Sequence, residues 1–374
     1  MRITLKKNLA FNNQPKPLLA QEVARKTKSR KAKKDLKEAT VELGMILPTT
    51  GTPRIDTVLF EREGASRAAD SRIVLKVNNF KIGQHAFAPG MQAKSVASLG
   101  NKSRSLSKPL QSVGFLPDHL NLQTAPGALA REFQIKAADE RKFGNQATTI
   151  FPPDNRRVFN DTRYPWSTCG RVDSPLGSGS GVMIGPRHLL TCAHIVQWNN
   201  NNTTGWLRFR PSFFNGSAPF GEAWGVLTYY KYKVSGPTID WIEGMYDYVV
   251  VVLNNRIGNL TGWMGSRGYT DSWDGGAYWS HVGYPGDITG GNRPTFQNGI
   301  ALDGAWWQFD SHEAMSHRGD VWPGQSGGPF FGWWSGENFP RVVAVQSSHN
   351  SSENNASGGQ DMVDLVIRAR NEHP

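Results

Sequence analysis

Ser180-Gly181-Val182-Met183-Ile184-Gly185-Pro186-Arg187-His188-Leu189-Leu190-Thr191 holds two short apolar runs parted by Gly185-Pro186. Glycine and proline interrupt regular structure and favour tight turns, so the stretch reads as strand, turn, strand. The same rhythm continues outward. Residues 206–209, 223–234, 246–253, 278–283, 306–309, 329–333 and 341–346 are β-branched and aromatic runs divided by Gly, Pro, Asn and Asp. Punctuation this frequent predicts an all-β sandwich or barrel. One segment departs from it: Met362, Leu365, Val366 and Ala369 repeat at i, i+3, i+4 and i+7, which predicts an amphipathic helix over 360–371 after Ser357-Gly358-Gly359.

Upstream of residue 150 the chain has a different character. The 374 residues carry 42 Lys+Arg against 31 Asp+Glu, a net charge of +11, but residues 1–150 hold 26 of the basic and 12 of the acidic residues, leaving 16 and 19 for the rest. The first part is therefore +14 and the second −3 (26 − 12 and 16 − 19). All 13 Trp and both Cys follow residue 150. Two physically different segments are joined, and the aromatic-rich second one is long enough to bury a core. Residues 21–40 contain eight Lys/Arg and almost no large apolar side chains, which fits a solvated helix or disordered arm. Such a run could contact a polyanion, but no aromatics interleave with it to stack bases, so nucleic-acid binding is not expected. From 41 to 149 short apolar patches (41–47, 73–77) alternate with polar stretches, as in a loosely structured leader. No apolar run approaches the roughly 18 residues of a membrane span, and no apolar stretch follows Met1-Arg2-Ile3-Thr4-Leu5-Lys6-Lys7 to make a standard secretory signal.

Three short strings carry chemistry. In Pro323-Gly324-Gln325-Ser326-Gly327-Gly328-Pro329 the glycines allow a tight turn that could aim the N–H groups of Gly324 and Ser326 at one point beside the Ser326 hydroxyl. A serine is a useful nucleophile at neutral pH only beside a base. Thr191-Cys192-Ala193-His194 supplies a histidine at a strand end. Tyr246-Asp247-Tyr248-Val249-Val250-Val251-Val252-Leu253 sets an aspartate at the head of an apolar strand, where a carboxylate is costly to bury without a hydrogen-bonding partner.

The order His194, Asp247, Ser326, together with SGVMIGPRHLLTCAH, YDYVVVVL and PGQSGGP, resembles the chymotrypsin-fold serine peptidases. YPWSTCGRV (164–172), IGNLTGWMG (257–265), HVGYPGD (281–287) and VDLVIRAR (363–370) resemble more closely its trypsin-like and glutamyl-endopeptidase-like branch. The resemblance covers 150–374 and implies two packed six-stranded β-barrels with a C-terminal α-helix. It implies a His194–Asp247–Ser326 triad, an oxyanion hole of the Gly324 and Ser326 N–H groups, and a substrate-pairing strand over 345–348. It further implies protein or peptide substrates, a secreted or extracellular monomer, no cofactor, no metal and no membrane. Activity in many members depends on a freed N-terminus, so residues 1–149 are expected to be a propeptide cut near 140–150, with 150–374 the peptidase domain.

For specificity, Asp320 stands six residues before Ser326, where trypsin-like members place the acid that binds a basic side chain. Gln346 and Ser347 are further substrate-binding candidates. Glutamate-cutting members carry a His where Gln346 stands, and His317 or His349 could substitute, so the cleavage preference stays open. Cys169 and Cys192 enclose 22 residues and could form a disulfide or remain two small buried thiols. Sequons at Asn202, Asn215 and Asn259 are weak signals of glycosylation. Two other functions compete. Gly324-Gln325-Ser326-Gly327-Gly328 also satisfies the G-x-S-x-G of esterases, but that fold needs a helix after the serine and a later histidine. A catalytically silent binding protein using the basic arm would be expected to have lost a triad member.

Overall fold

The structure, a computed structural model of the chain, describes residues 14–28, 38–46, 53–63, 72–77, 90–100, 102, 106, 108–127, 150–304, 313–350 and 352–374. A three-stranded antiparallel sheet, β1 (Glu38–Ile46), β2 (Pro53–Glu63) and β3 (Arg72–Val77), lies in the leader, followed by the short strands β4 (Gln92–Ser95) and β5 (Gln111–Ser112). The body begins with β6 (Arg157–Val158) and continues through β7 (Cys169–Ser174), β8 (Gly177–Gly185), β9 (His188–Thr191), β10 (Arg208–Pro211), β11 (Ala223–Tyr230) and β12 (Val249–Leu253). Its second half comprises β13 (Gly265–Arg267), β14 (Trp279–Gly283), β15 (Thr295–Ile300), β16 (Leu302–Gly304), β17 (Glu313–His317), β18 (Pro329–Gly332), β19 (Arg341–His349) and β20 (Asn354–Gly358). The strand expected over 306–309 lies outside the described residues.

The first half closes on itself. Its strands run β10-β7-β8-β9-β12-β11, and β11 pairs back to β10 through Ala223 and Trp224, which closes a six-stranded barrel. The near-continuous apolar run of β12 follows from burial on both faces. Val249, Val251 and Leu253 point into the barrel against Met183 and Leu189. Val250 and Val252 point the other way, into a core shared with Met362, Val363, Leu365, Val366 and Ala369. Those five residues are the apolar face of the C-terminal helix Gln360–Glu372, one residue longer than expected. The helix therefore caps the outside of the first barrel, with its N-terminal Gly359 at φ 98°.

The second half is a curved sheet in the order β16-β17-β20-β19-β18-β14-β15-β6, with β13 branching from β19; its two ends do not pair among the described residues. The Trp273 ring packs in it against those of Tyr269, Trp279 and Trp334. The architecture is the chymotrypsin-like all-β fold with a C-terminal helix, its first half a full barrel and its second a half-barrel.

Parts of the leader are built into this body rather than loose. β4 pairs in parallel with β11, and β5 pairs with β13. Residues 20–26 form a helix, and Leu18 and Val23 are buried against Leu116, Leu120, Tyr164 and Trp333. Leu99 N–H donates to Asp361 (2.7 Å) and Leu110 N–H to Gln360 (2.7 Å), both on the C-terminal helix. Sparse apolar residues were enough to dock these segments because the body supplies the opposite face. Among the described residues no helix is long and apolar enough to cross a membrane.

Candidate active site

Asp247 stands two residues before β12, fully buried, and four donors surround its carboxylate. Oδ1 accepts the N–H groups of Ala193 and His194, each at 2.9 Å. Oδ2 accepts the His194 Nδ1–H at 2.7 Å and the Ser347 hydroxyl at 2.6 Å. The desolvation cost of the buried charge is offset by this complete set of partners. Burial would raise the Asp247 carboxyl, but His194 and the surrounding donors outweigh it and hold it below the ordinary carboxylate range. Burial likewise opposes charge on His194, while the Asp247 carboxylate and then the Cys192 sulfur raise it well above the ordinary imidazole value. The bond at Nδ1 leaves Nε2 as the working nitrogen of this ring.

The serine turn lies in the seam between the two halves. Ser180 on β8 grips it twice: its N–H donates to the Ser326 carbonyl (2.8 Å) and its hydroxyl donates to the Gly324 carbonyl (2.8 Å). The same hydroxyl accepts the Tyr284 N–H (2.9 Å). Gly327 has φ 79°, and a Cβ there would stand 2.2 Å from Thr191 Oγ1 and 2.8 Å from Cys192 N, so the turn abuts the strand end that carries His194. Gly324 has φ 101° and faces the Tyr284 carbonyl, which a Cβ would meet at 2.4 Å. Only glycine fits either place. Neither the Gly324 nor the Ser326 N–H has an acceptor among the described residues. His194 and Asp247 are thus joined. No hydrogen bond links Ser326 Oγ to His194 among the described residues, and His194 Nε2 instead has Cys192 Sγ at 3.6 Å.

The turn has a second anchor that the sequence reading missed. Arg156, with 1% of its side chain exposed, donates to Gln325 Oε1 (3.0 Å), the residue before Ser326, and is paired with Asp154 (2.7 Å) and Asp287 (2.6 Å). Gln325 Oε1 also accepts the Trp322 N–H (3.0 Å). Nothing local in the chain could reveal Arg156 or Ser180, because each acts on a turn more than a hundred residues away.

The remaining expected residues are placed differently. Asp320 is buried, and its two oxygens accept the N–H groups of Phe151 and Asn155, each at 2.8 Å, so its carboxylate ties down the start of the body. Ser347 falls at a register shift in β19 and spends its hydroxyl on Asp247. Gln346 spends its backbone on the serine turn, accepting the Gly327 N–H and donating to the Gly328 carbonyl, each at 2.8 Å. Its side-chain oxygen receives His317 Nε2–H (3.0 Å), while His317 Nδ1 accepts the Gly319 N–H (3.2 Å). Burial, and then the nearby His281, push His317 down to about 3, so it is a neutral donor. His349 lies at the exposed end of β19. Cys169 and Cys192 are free buried thiols, the second of the two alternatives the sequence left open. β8 runs between β7 and β9, with Cys169 opposite Val182 and Val182 opposite Leu190. Two strand spacings of about 4.8 Å therefore separate the cysteines, beyond the roughly 7 Å that a disulfide spans.

Residues 179–337 match the model of the trypsin-like peptidase domain. The glutamyl endopeptidase of Bacillus licheniformis is 32% identical over 187 residues, 49% of this chain and 54% of that protein. The chain thus spans about half the length of the curated relative it matches. Among solved structures, a Glu endopeptidase in complex with MPD has a TM-score of 0.48 at 21% identity, covering 59% of this chain and 99% of its own. Protease Anisep from Arthrobacter nicotinovorans has a TM-score of 0.40 at 18% identity, covering 55% and 92%.

Proposed function

We propose that the protein is a serine endopeptidase that hydrolyses peptide bonds in protein substrates through an acyl-enzyme. The observation that carries this is the buried Asp247 carboxylate bonded at once to His194 Nδ1, two backbone N–H groups and Ser347, in a trypsin-like peptidase domain. Ser326 Oγ attacks the scissile carbonyl while His194 Nε2 takes its proton. The oxyanion is received by the N–H groups of Gly324 and Ser326, which have no competing acceptor among the described residues. His194 then gives its proton to the leaving amine, and water, deprotonated by the same nitrogen, releases the acid. Asp247 holds the ring in the tautomer that leaves Nε2 free and stabilises the imidazolium. Turnover also requires Ser326 Oγ, in place of Cys192 Sγ, to engage Nε2. Hydrolysis of a denatured protein substrate by the wild type and by Ser326→Ala and His194→Ala tests this reading: both variants are expected to lose at least about 10³-fold of the rate, and undiminished hydrolysis by either would refute it.

For the substrate, the carboxylate of Asp320 is spent on backbone N–H groups, which argues against a basic preference. The likeness to a glutamyl endopeptidase favours cleavage after glutamate. A cleavage profile on a mixed peptide pool decides between the two. The chain is further proposed to be a secreted precursor cut near 140–150, because the Phe151 N–H already rests on Asp320 and a cut just before it would set a cationic amine on that carboxylate. N-terminal sequencing of active protein tests the cut, and full activity in the untrimmed chain contradicts it.

A further inference from the structure

We propose that Cys192 Sγ and His194 Nε2 form a binding site for a soft divalent cation, with Zn²⁺ as the best fit, and that occupation of this site switches the peptidase off. The two ligand atoms are 3.6 Å apart. A tetrahedral zinc ion with Zn–S of about 2.3 Å and Zn–N of about 2.05 Å holds its sulfur and nitrogen ligands about 3.6 Å apart, so the pair needs little movement to close on the ion. The second requirement of such a site, a partner that fixes the other ring nitrogen, is also met: His194 Nδ1–H is held by Asp247 at 2.7 Å. That partner orients the imidazole and leaves the Nε2 lone pair outward, as carboxylate–histidine–zinc arrangements require.

Asp247 lies close enough to be counted with these groups, since ligand atoms of all three fall within 4.8 Å of one another. Its oxygens are already filled by Ala193 N–H, His194 N–H, His194 Nδ1–H and the Ser347 hydroxyl, which makes it the support of the site and leaves ligation to Cys192 and His194. Cys192 is buried, whereas His194 keeps 18% of its side chain exposed, so an ion approaches over the imidazole edge and keeps solvent in its remaining positions. On binding, the thiol releases its proton to solvent and the thiolate joins the metal. No redox step is involved. The inhibitory consequence rests on the proposed role of His194 as general base: a metal on Nε2 occupies the lone pair that would take the serine proton.

Co²⁺ is a spectroscopic substitute for zinc, and Co²⁺ titration of the reduced full chain tests binding without reference to peptidase activity. The near-ultraviolet thiolate-to-cobalt absorption is expected in the wild type and in Cys169→Ala, absent in Cys192→Ala and Cys192→Ser, and displaced by Zn²⁺. In parallel, the Zn²⁺ concentration that halves peptide hydrolysis is expected to rise at least tenfold in either Cys192 variant, each measured against its own metal-free rate. Circular dichroism confirms that each variant is folded, and the serine and alanine replacements provide two independent chances of a folded one. Absence of the band in folded wild type, or its survival without Cys192, overturns the site. A cobalt band that depends on Cys192 in a chain that hydrolyses no peptide would keep the site and remove the peptidase reading instead.

Discussion

At the residue scale the Asp247–His194 pair sets the pH response. Because the folded protein holds the His194 pKa well above 6.5, the pair's contribution to stability is complete below about 6.5 and is lost as pH rises through the folded value. Asp247 has the opposite sign: its pKa is lowered from 3.8, so its contribution is present above that value and is lost as pH falls through the lowered one. The proposed mechanism needs neutral His194, so the acid limb of kcat/KM against pH is expected to have a midpoint above 6.5; a midpoint at or below 6.5 would contradict the pairing. Ser347→Ala removes one of four donors from a buried charge. At about 1.5–3 kcal/mol for a hydrogen bond to a charged group, kcat is expected to fall roughly 10- to 150-fold with KM little changed. A larger change in KM than in kcat would return Ser347 to substrate binding. The three catalytic candidates were legible because each sits in a string whose chemistry is local: glycines around a serine, a histidine at a strand end, and an acid heading an apolar run. The Ser347 bond was not, because nothing in a strand sequence tells which side chain the fold lays against a carboxylate 100 residues away.

At the scale of elements, the serine turn is gripped from both halves of the body. Arg156 is buried with Asp154 and Asp287, and Arg156→Met would leave Asp287 charged and unpaired. Stability is expected to fall by about 3–5 kcal/mol, and the rate of acylation to fall because Gln325 loses its tether, measured by denaturant unfolding and burst kinetics. Gly327→Ala would drive a methyl into Thr191 Oγ1 and the Ser180 carbonyl at a φ that disfavours any side chain. It should abolish activity, and an active Gly327→Ala would show that the turn has another conformation. The alternation of β12 between two cores explains why its strand was legible on its own, whereas its closure into a barrel was expected only from the family resemblance. Period and punctuation report single strands, whereas the β10–β11 pairing that closes the sheet joins chain segments whose register only packing determines. The cysteines show the same limit: a spacing of 22 residues suited a bridge, and the intervening β8 forbade it.

At the scale of the whole molecule, the charge boundary near residue 150 is not a boundary of contact. The leader carries the excess positive charge, yet β4 extends the first barrel, β5 joins the second sheet, and Leu18 and Val23 are buried against the body. A cut near 140–150 is therefore expected to leave the leader bound. The two fragments should co-elute on size exclusion in native buffer and separate only in denaturant, and spontaneous loss of the leader would contradict the packing described. After the proposed cut, an N-terminal segment bound in this way would keep its basic charge with the body until it dissociated or was digested. The central claim, that Ser326 is a nucleophile activated by His194 on Asp247, is tested most directly with a serine-phosphonylating reagent and peptide mass spectrometry. One adduct on Ser326, absent from Ser326→Ala and strongly slowed in His194→Ala, is the predicted result; folded protein that stays unlabelled at Ser326, or labels equally well without His194, would contradict it.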